Sequence, residues 1–158
     1  MANVVCMVDN VYQLLIDSTS LLNWSDTSSL ENNVFKFAID EDDIETYPQV
    51  LVHNDSNVVN FVSDKGFEWL NSVMFEFTDT PVNYFNEDDT RMTKIGDILR
   101  AFQLKVDSVI AELICNPNIA YMPIKQLKLV DLGIASSELS GKETGRLLKS
   151  MYVVEFWG

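Results

Sequence analysis

The spacing of hydrophobic positions changes from one segment of the chain to the next, and this spacing predicts the secondary structure. The longest helical pattern covers residues 90–115, where apolar residues recur every three or four positions and charged residues fill the other face. Asp89 or Thr90 can cap its first turn, and Pro117 ends it because the residue before a proline avoids the helical conformation. The residues expected to pack on a sheet are Ile98, Phe102, Val106 and Val109.

A second helical pattern covers residues 4–22, with a poor helix interior at residues 18–20. Elsewhere apolar and polar positions alternate, as is typical of half-buried strands. This alternation predicts strands at 34–39, 47–53, 58–62, 67–78, 124–132 and 147–157. Polar residues at 54–57 and 63–66 predict turns, and several glycines predict a long loop over residues 133–145.

The order of these elements predicts the fold class. A helix, several strands, a long helix and two more strands are typical of an α+β domain with a mostly antiparallel sheet. We expect a single domain over residues 1–158, with the long helix and the N-terminal helix packed on one face of the sheet. The closing strand is apolar on both faces, so we expect it to lie inside the sheet or to cover an interface.

The charge of the chain restricts its partners. Acidic residues number 24 against 11 basic ones, for a net charge of −13. Phosphate binding depends on a positive field, so sequence-specific nucleic acid is not expected as a partner. No apolar run approaches the roughly 20 residues that span a bilayer, and the first residues do not resemble a signal peptide. We therefore expect no membrane partner and synthesis in a cytoplasm.

Motifs for catalysis or metal binding are sparse. The single histidine, His53, is predicted to be a surface or turn residue, and Cys6 and Cys115 are predicted to be buried free thiols, with a disulfide as the alternative. The acidic run at 40–45 lacks the glycine and the distant glutamate of a calcium loop, which favours a solvated linker. The segment 141–146, GKETGR, is a weak candidate for phosphate contact. These patterns predict a protein that is not an enzyme and that holds no cofactor or metal.

The C-terminal part of the chain carries the candidate interface. The predicted loop at 136–146 has no evident internal role, and its cations can pair with acidic residues on another copy. Large aromatic residues at a chain end are more often docked than left in water. The candidate interface residues are Lys142, Arg146, Tyr152, Val154, Phe156 and Trp157.

The same order of elements resembles the tail-terminator and tail-completion proteins of tailed bacteriophages, a family of small neck-ring components. The features that carry this resemblance are the helix at 4–22, the extended segment entered through Tyr47 and Pro48, the strand at 67–78, the helix at 95–115, and Gly145 and Arg146 before the aromatic strand at 152–157. The resemblance implies a non-enzymatic virion protein, made in the cytoplasm of the host bacterium, that forms a homo-oligomeric ring. Its implied partners are copies of itself and the neighbouring head-connector and tail proteins.

Two other functions remain open from the sequence. The acidic composition also fits a small intracellular binding module, such as an inhibitor that mimics the charge of nucleic acid, although the apolar strand faces do not favour it. A subunit of an enzyme whose active site lies on a partner is the third possibility.

Overall fold

A computed structural model describes residues 4–39, 46–61, 67–84, 94–116, 124–139 and 142–157. Its helices are α1 (Val4–Ile16), α2 (Thr19–Ser25) and α3 (Ile95–Cys115), with a short 3-10 helix at Pro81–Tyr84. Its strands are β1 (Val34–Lys36), β2 (Gln49–Phe61), β3 (Phe67–Asp79), β4 (Ile124–Leu139) and β5 (Lys142–Trp157). The acidic run at 40–45, the predicted turn at 63–66, and the proposed caps Asp89 and Thr90 lie outside the described residues.

The strands form one five-stranded sheet in the order β1-β2-β3-β5-β4. β1 runs parallel to β2, whereas the β2–β3, β3–β5 and β4–β5 pairs are antiparallel. The α+β prediction with a mostly antiparallel sheet is therefore confirmed. β5 has a paired neighbour on each side, which confirms the expectation that the closing strand lies inside the sheet.

One hydrophobic core joins the helices to one face of the sheet. The α3 residues predicted to pack there, Ile98, Phe102, Val106 and Val109, are all buried. They belong to one cluster with alternate residues of the strands and the apolar face of α1. The principal strand residues in the core are Val50, Val52, Val73, Phe75, Phe77, Leu148 and Val154. We call this side of the sheet the helix-covered face, and the other side the opposite face.

Trp24 of α2 links the sheet to α3. Its ring stacks on Phe77 of β3 with a centroid distance of 6.3 Å, and it packs against Phe102 of α3 at 5.8 Å. Tyr84 meets the Phe102 ring edge-on at 6.3 Å. Phe102 therefore lies at the centre of an aromatic cluster.

The predicted N-terminal helix is two helices, because the chain turns at Asp17 and Ser18. Ser18 has an extended conformation and its side chain accepts from the Leu21 N–H, so it caps α2. The poor helix formers at 18–20 therefore mark a helix boundary.

A carboxylate of α3 accepts hydrogen bonds from the first residues of α2 and from Ser18, its N-cap. Glu112 Oε1 accepts from the Thr19 N–H at 2.9 Å, and its Oε2 accepts from the Ser20 N–H at 2.8 Å and from the Ser18 hydroxyl at 3.1 Å. Burial alone would raise the pKa of Glu112, but these hydrogen bonds outweigh it, and the pKa is lowered from its ordinary value of 4.5. The charged form of Glu112 thus stabilises the packing of α2 on α3.

We expect Glu112→Gln to destabilise the protein at neutral pH and to have progressively less effect in acid. A carboxyl group with a lowered pKa in the folded state contributes stability above its unfolded pKa and loses that stability as the pH falls through the folded value. Urea unfolding of wild type and variant between about pH 7 and pH 3 measures this convergence. Glu31→Gln, at an exposed loop position, is the matched control. A gap between wild type and Glu112→Gln that stays constant below pH 4.5 would contradict the assignment.

Two predicted strand boundaries in the first half of the chain are wrong. The turn predicted at 54–57 is instead part of β2, which pairs with β3 from Gln49 to Phe61 and absorbs Asp55 as a bulge between Asn54 and Ser56. The strand predicted at 34–39 ends at Lys36, because Phe37 adopts a positive φ of 68°. Phe37 and Ile39 are exposed instead of sharing a buried face. In both cases contacts with a neighbouring strand decide where pairing continues.

The long loop predicted over residues 133–145 is also wrong. β4 extends to Leu139 and β5 begins at Lys142, so the two strands form one long hairpin. Ser136 pairs with Arg146, and Ser137 pairs with Gly145. The glycines weaken strand propensity, but cross-strand pairing satisfies the backbone groups that a loop would expose to water.

Candidate assembly surface

All six candidate interface residues lie on β5. Lys142 and Arg146 occupy the part of β5 nearest the hairpin tip, where they pair with Leu139 and Ser136 of β4. Phe156 and Trp157 pair with Asn71 and Leu70 of β3 at the other end. The sheet thus separates the two cations from the two aromatic residues by most of the length of the strand.

Tyr152 and Val154 lie on the helix-covered face and contact the chain's own core. Val154 is 4% exposed. The Tyr152 hydroxyl donates to Asp107 Oδ1 at 2.6 Å and accepts from Gln103 Nε2 at 3.1 Å. Burial and the nearby Asp107 carboxylate raise the pKa of Tyr152 above its ordinary range. Val154 thus packs within the subunit, and the partly buried Tyr152 is held to α3 by its hydroxyl group.

The hairpin extends beyond the rest of the sheet. The last pair between β3 and β5 is Asp79 with Leu148, so residues 142–147 of β5 pair only with residues 135–139 of β4 among the described strands. We call these two stretches the hairpin arm. At about 3.3 Å per residue, the arm projects roughly 20 Å past the end of β3. Lys142 and Arg146 both belong to this arm.

β4 is an edge strand with an exposed apolar row on its helix-covered face. Residues directly opposite each other in an antiparallel pair share a face. On β5, the side chains of Tyr152, Ser150 and Leu148 contact α3 or the core. The β4 residues opposite them are, in the same order, Leu129, Leu132 and Ile134. The exposed fractions of the three β4 residues are 43%, 38% and 40%. We call Leu129, Leu132 and Ile134 the apolar row.

A bulge in β4 creates this row. Leu129 pairs with Tyr152 and Asp131 pairs with Met151, so Val130 is the extra residue. Strict alternation would place Leu129 and Leu132 on opposite faces, but the bulge places them on the same face. Lys128 and Asp131, three residues apart, also come to share a face, and both are exposed on the opposite side of the sheet. The spacing of these two charged residues is the sequence signal that indicates the bulge.

His53 and Cys115 differ from their predicted environments. His53 lies within β2 and is half-buried, with its Nε2 3.3 Å from Glu76 Oε2 but without hydrogen-bond alignment. Lys149 Nζ lies 3.3 Å from Glu76 Oε1, so His53, Glu76 and Lys149 form a row of polar side chains across β2, β3 and β5. Cys115 is a free thiol, as predicted. It is exposed at the end of α3, not buried, because it follows the last turn of the apolar stripe. The side chain of Cys6 lies outside the described residues.

A cleft of about 260 Å³ lies between α2, the 3-10 helix and α3. Its polar centre is Asp79, a fully buried residue at the end of β3. Asp79 Oδ1 accepts from the Thr80 N–H at 2.8 Å and from Asn83 Nδ2 at 2.7 Å, and its Oδ2 accepts from the Tyr84 hydroxyl at 2.8 Å. Burial raises the pKa of the Tyr84 hydroxyl above its ordinary range, and the nearby Asp79 carboxylate raises it further. Asp79 is thus committed to holding the 3-10 helix against the core.

No family model matches the chain, and no curated protein matches it. Within the described residues, no group of His, Cys, Asp and Glu side chains has the arrangement of a metal site. None of the helices in the described ranges has the length and apolar character needed to cross a membrane.

Proposed function

We propose that this chain is a structural protein of a tailed bacteriophage that forms a homo-oligomeric ring in the neck, between the head connector and the tail. The proposal takes the class of protein from the resemblance in the order of elements. The observation that supports it most is the hairpin arm, which extends past the sheet with two cations on an otherwise acidic chain. The protein acts by assembly in the virion, after synthesis in the bacterial cytoplasm, and performs no reaction.

The arm has a physical reason to contact a neighbour. A two-stranded hairpin without a third strand is only marginally stable in water, so docking on another surface stabilises it. A closed ring is built from contacts between two different surfaces of the same subunit. An arm at one end of the sheet that lies on the body of the next copy provides such a contact.

Charge gives the contact a direction. Copies of a subunit with a net charge of −13 repel one another, so a contact between copies needs cations on one side. Lys142 and Arg146 place two of the 11 basic residues on the arm, where they balance Glu138 and Glu143. The arm therefore carries no net charge, whereas the chain as a whole is strongly acidic. Acidic residues on the neighbouring copy, or on the head or tail protein, are the complementary groups.

We expect the double variant Lys142→Glu, Arg146→Glu to fold normally and to lose ring formation or docking. The charge reversals place like charges at the contact, on a part of β5 that pairs only with β4 among the described strands. Sedimentation velocity with purified head and tail neighbours measures assembly into species larger than a dimer, and circular dichroism measures folding.

Lys94→Glu with Arg100→Glu is the matched control, because both residues are exposed cations on or beside α3. It makes the same change in net charge away from the arm and is expected to assemble like wild type. Equal assembly of the arm variant and wild type would remove the arm from the interface. If wild type forms nothing larger than a dimer with its neighbours present, the ring itself is wrong.

A further inference from the structure

No strand of the described ranges pairs with the outer edge of β4, and this edge carries apolar and charged side chains in a self-complementary order. β4 is the last strand of the sheet, and the apolar row lies along its helix-covered face. Lys128 and Asp131 lie on its opposite face, flanking the bulge at Val130. No ion pair joins Lys128 or Asp131 to any other residue that the structure describes. Counted in residues along the strand, Lys128 and Asp131 are therefore equally far from the midpoint between Leu129 and Val130.

We infer that this edge pairs with the same edge of a second copy, antiparallel, about a twofold axis at that midpoint. The axis brings Lys128 of each copy opposite Asp131 of the other, which makes two equivalent ion pairs on the opposite face of the joined sheets. Antiparallel partners share a face, and both residues already lie on the same face of their own sheet. Opposite charges at such positions stabilise strand pairing, whereas like charges destabilise it.

The same register joins the apolar residues. Leu127, which packs on the edge of the core, lies opposite Leu132 of the second copy, and Leu129 lies opposite Val130. Leu129, Val130 and Leu132 are between 38% and 48% exposed in the single chain. Pairing covers these side chains and satisfies the backbone groups of the edge.

The bulge identifies the occupant as a second copy of this chain. A bulge on an edge strand breaks register with an ordinary strand and so protects the edge from unrelated partners. A second β4 carries the same extra residue, so the number of residues between Lys128 and Asp131 is equal on both strands. The identical bulges then face each other across the axis and the register is kept.

This contact is separate from the ring and does not depend on it. A twofold contact uses one surface twice and closes at two copies, whereas ring contacts use two different surfaces. The dimer is the state of the free chain, in which each copy covers Leu129, Val130 and Leu132 of the other.

Variants that change the charges of Lys128 and Asp131 test the contact. We expect wild type to sediment as a dimer, and Lys128→Asp and Asp131→Lys to dimerise about tenfold more weakly, since each variant places like charges opposite each other twice. An equimolar mixture of the two variants restores the dimer, because every facing pair is then again of opposite charge. The double variant Lys128→Asp, Asp131→Lys also restores it. The weakening diminishes at about 1 M salt, where exposed charges are screened.

Controls separate this surface from others. Glu31→Lys makes the same change in net charge as Asp131→Lys at a distant exposed loop and is expected to leave the dimer unchanged. Carbodiimide cross-linking of a mixture of isotopically light and heavy wild-type chains is expected to join Lys128 of one copy to Asp131 of the other, which needs no variant to fold. A monomeric wild type, a dimer that both single variants retain, or a mixture that stays monomeric would each overturn the inference. Binding of β4 to a different protein with no self-association would overturn it as well.

Discussion

Phe102→Ala is expected to lower the free energy of unfolding by about 3–5 kcal/mol. Phe102 is fully buried on α3, with Trp24 against one side of its ring and Tyr84 against another. Truncation removes the transfer free energy of the ring and leaves a cavity that three elements line. Because Trp24 also stacks on Phe77 of β3, the cavity lies where helices and sheet are joined. Chemical denaturation followed by circular dichroism measures the loss.

Leu104→Ala is the matched control for this prediction. Leu104 lies on the same helix two residues away, but it is 58% exposed. Its truncation removes few contacts, so we expect a change within about 0.5 kcal/mol. A loss below about 1 kcal/mol for Phe102→Ala would mean that the α3 stripe does not face the core, and the packing described above would be wrong.

Asp79→Ala is expected to cost about 3 kcal/mol. Asp79 is fully buried. Its carboxyl group accepts hydrogen bonds from the Thr80 N–H, Asn83 Nδ2 and the Tyr84 hydroxyl. Its removal leaves these donors without their acceptor and frees the 3-10 helix from the end of β3. Thermal and urea unfolding measure the cost.

Two further variants separate the hydrogen bonds from general effects of substitution. Tyr84→Phe removes one of the three hydrogen bonds to Asp79, together with the hydrogen bond between Trp24 and the Tyr84 hydroxyl, and keeps the ring on Phe102. We expect a loss of about 1–2 kcal/mol. Glu31→Ala, at an exposed acidic residue, is expected to be neutral. An Asp79→Ala variant as stable as Glu31→Ala would show that the Asp79 cluster does not hold the 3-10 helix.

The environment of the candidate interface residues could be predicted only in part from the sequence. The apolar character of both faces of the last strand correctly indicated an interior strand, because such a strand needs neighbours on each side. It did not indicate that Tyr152 would be bound by Asp107 and Gln103, since those residues lie 45 and 49 positions away in the chain. Nor did the sequence predict the hairpin arm, where glycines and serines outweighed weak alternation. Pairing with β5 overrides local propensity there because it satisfies the backbone of both strands.

The sequence alone predicts those elements whose spacing of hydrophobic residues is strong and local. The stripe of α3 repeats often enough to specify which residues are buried, and the alternation of Val73, Phe75 and Phe77 specifies the core face of β3. The tertiary structure alone decided the register of the strands: the bulge at Asp55, the bulge at Val130 and the length of the β4–β5 hairpin. A bulge costs little locally and is selected by the match between two distant strands. A single inserted residue moves every following side chain to the other face. For this reason the exposed apolar row on β4 follows from the fold and not from the spacing of its leucines.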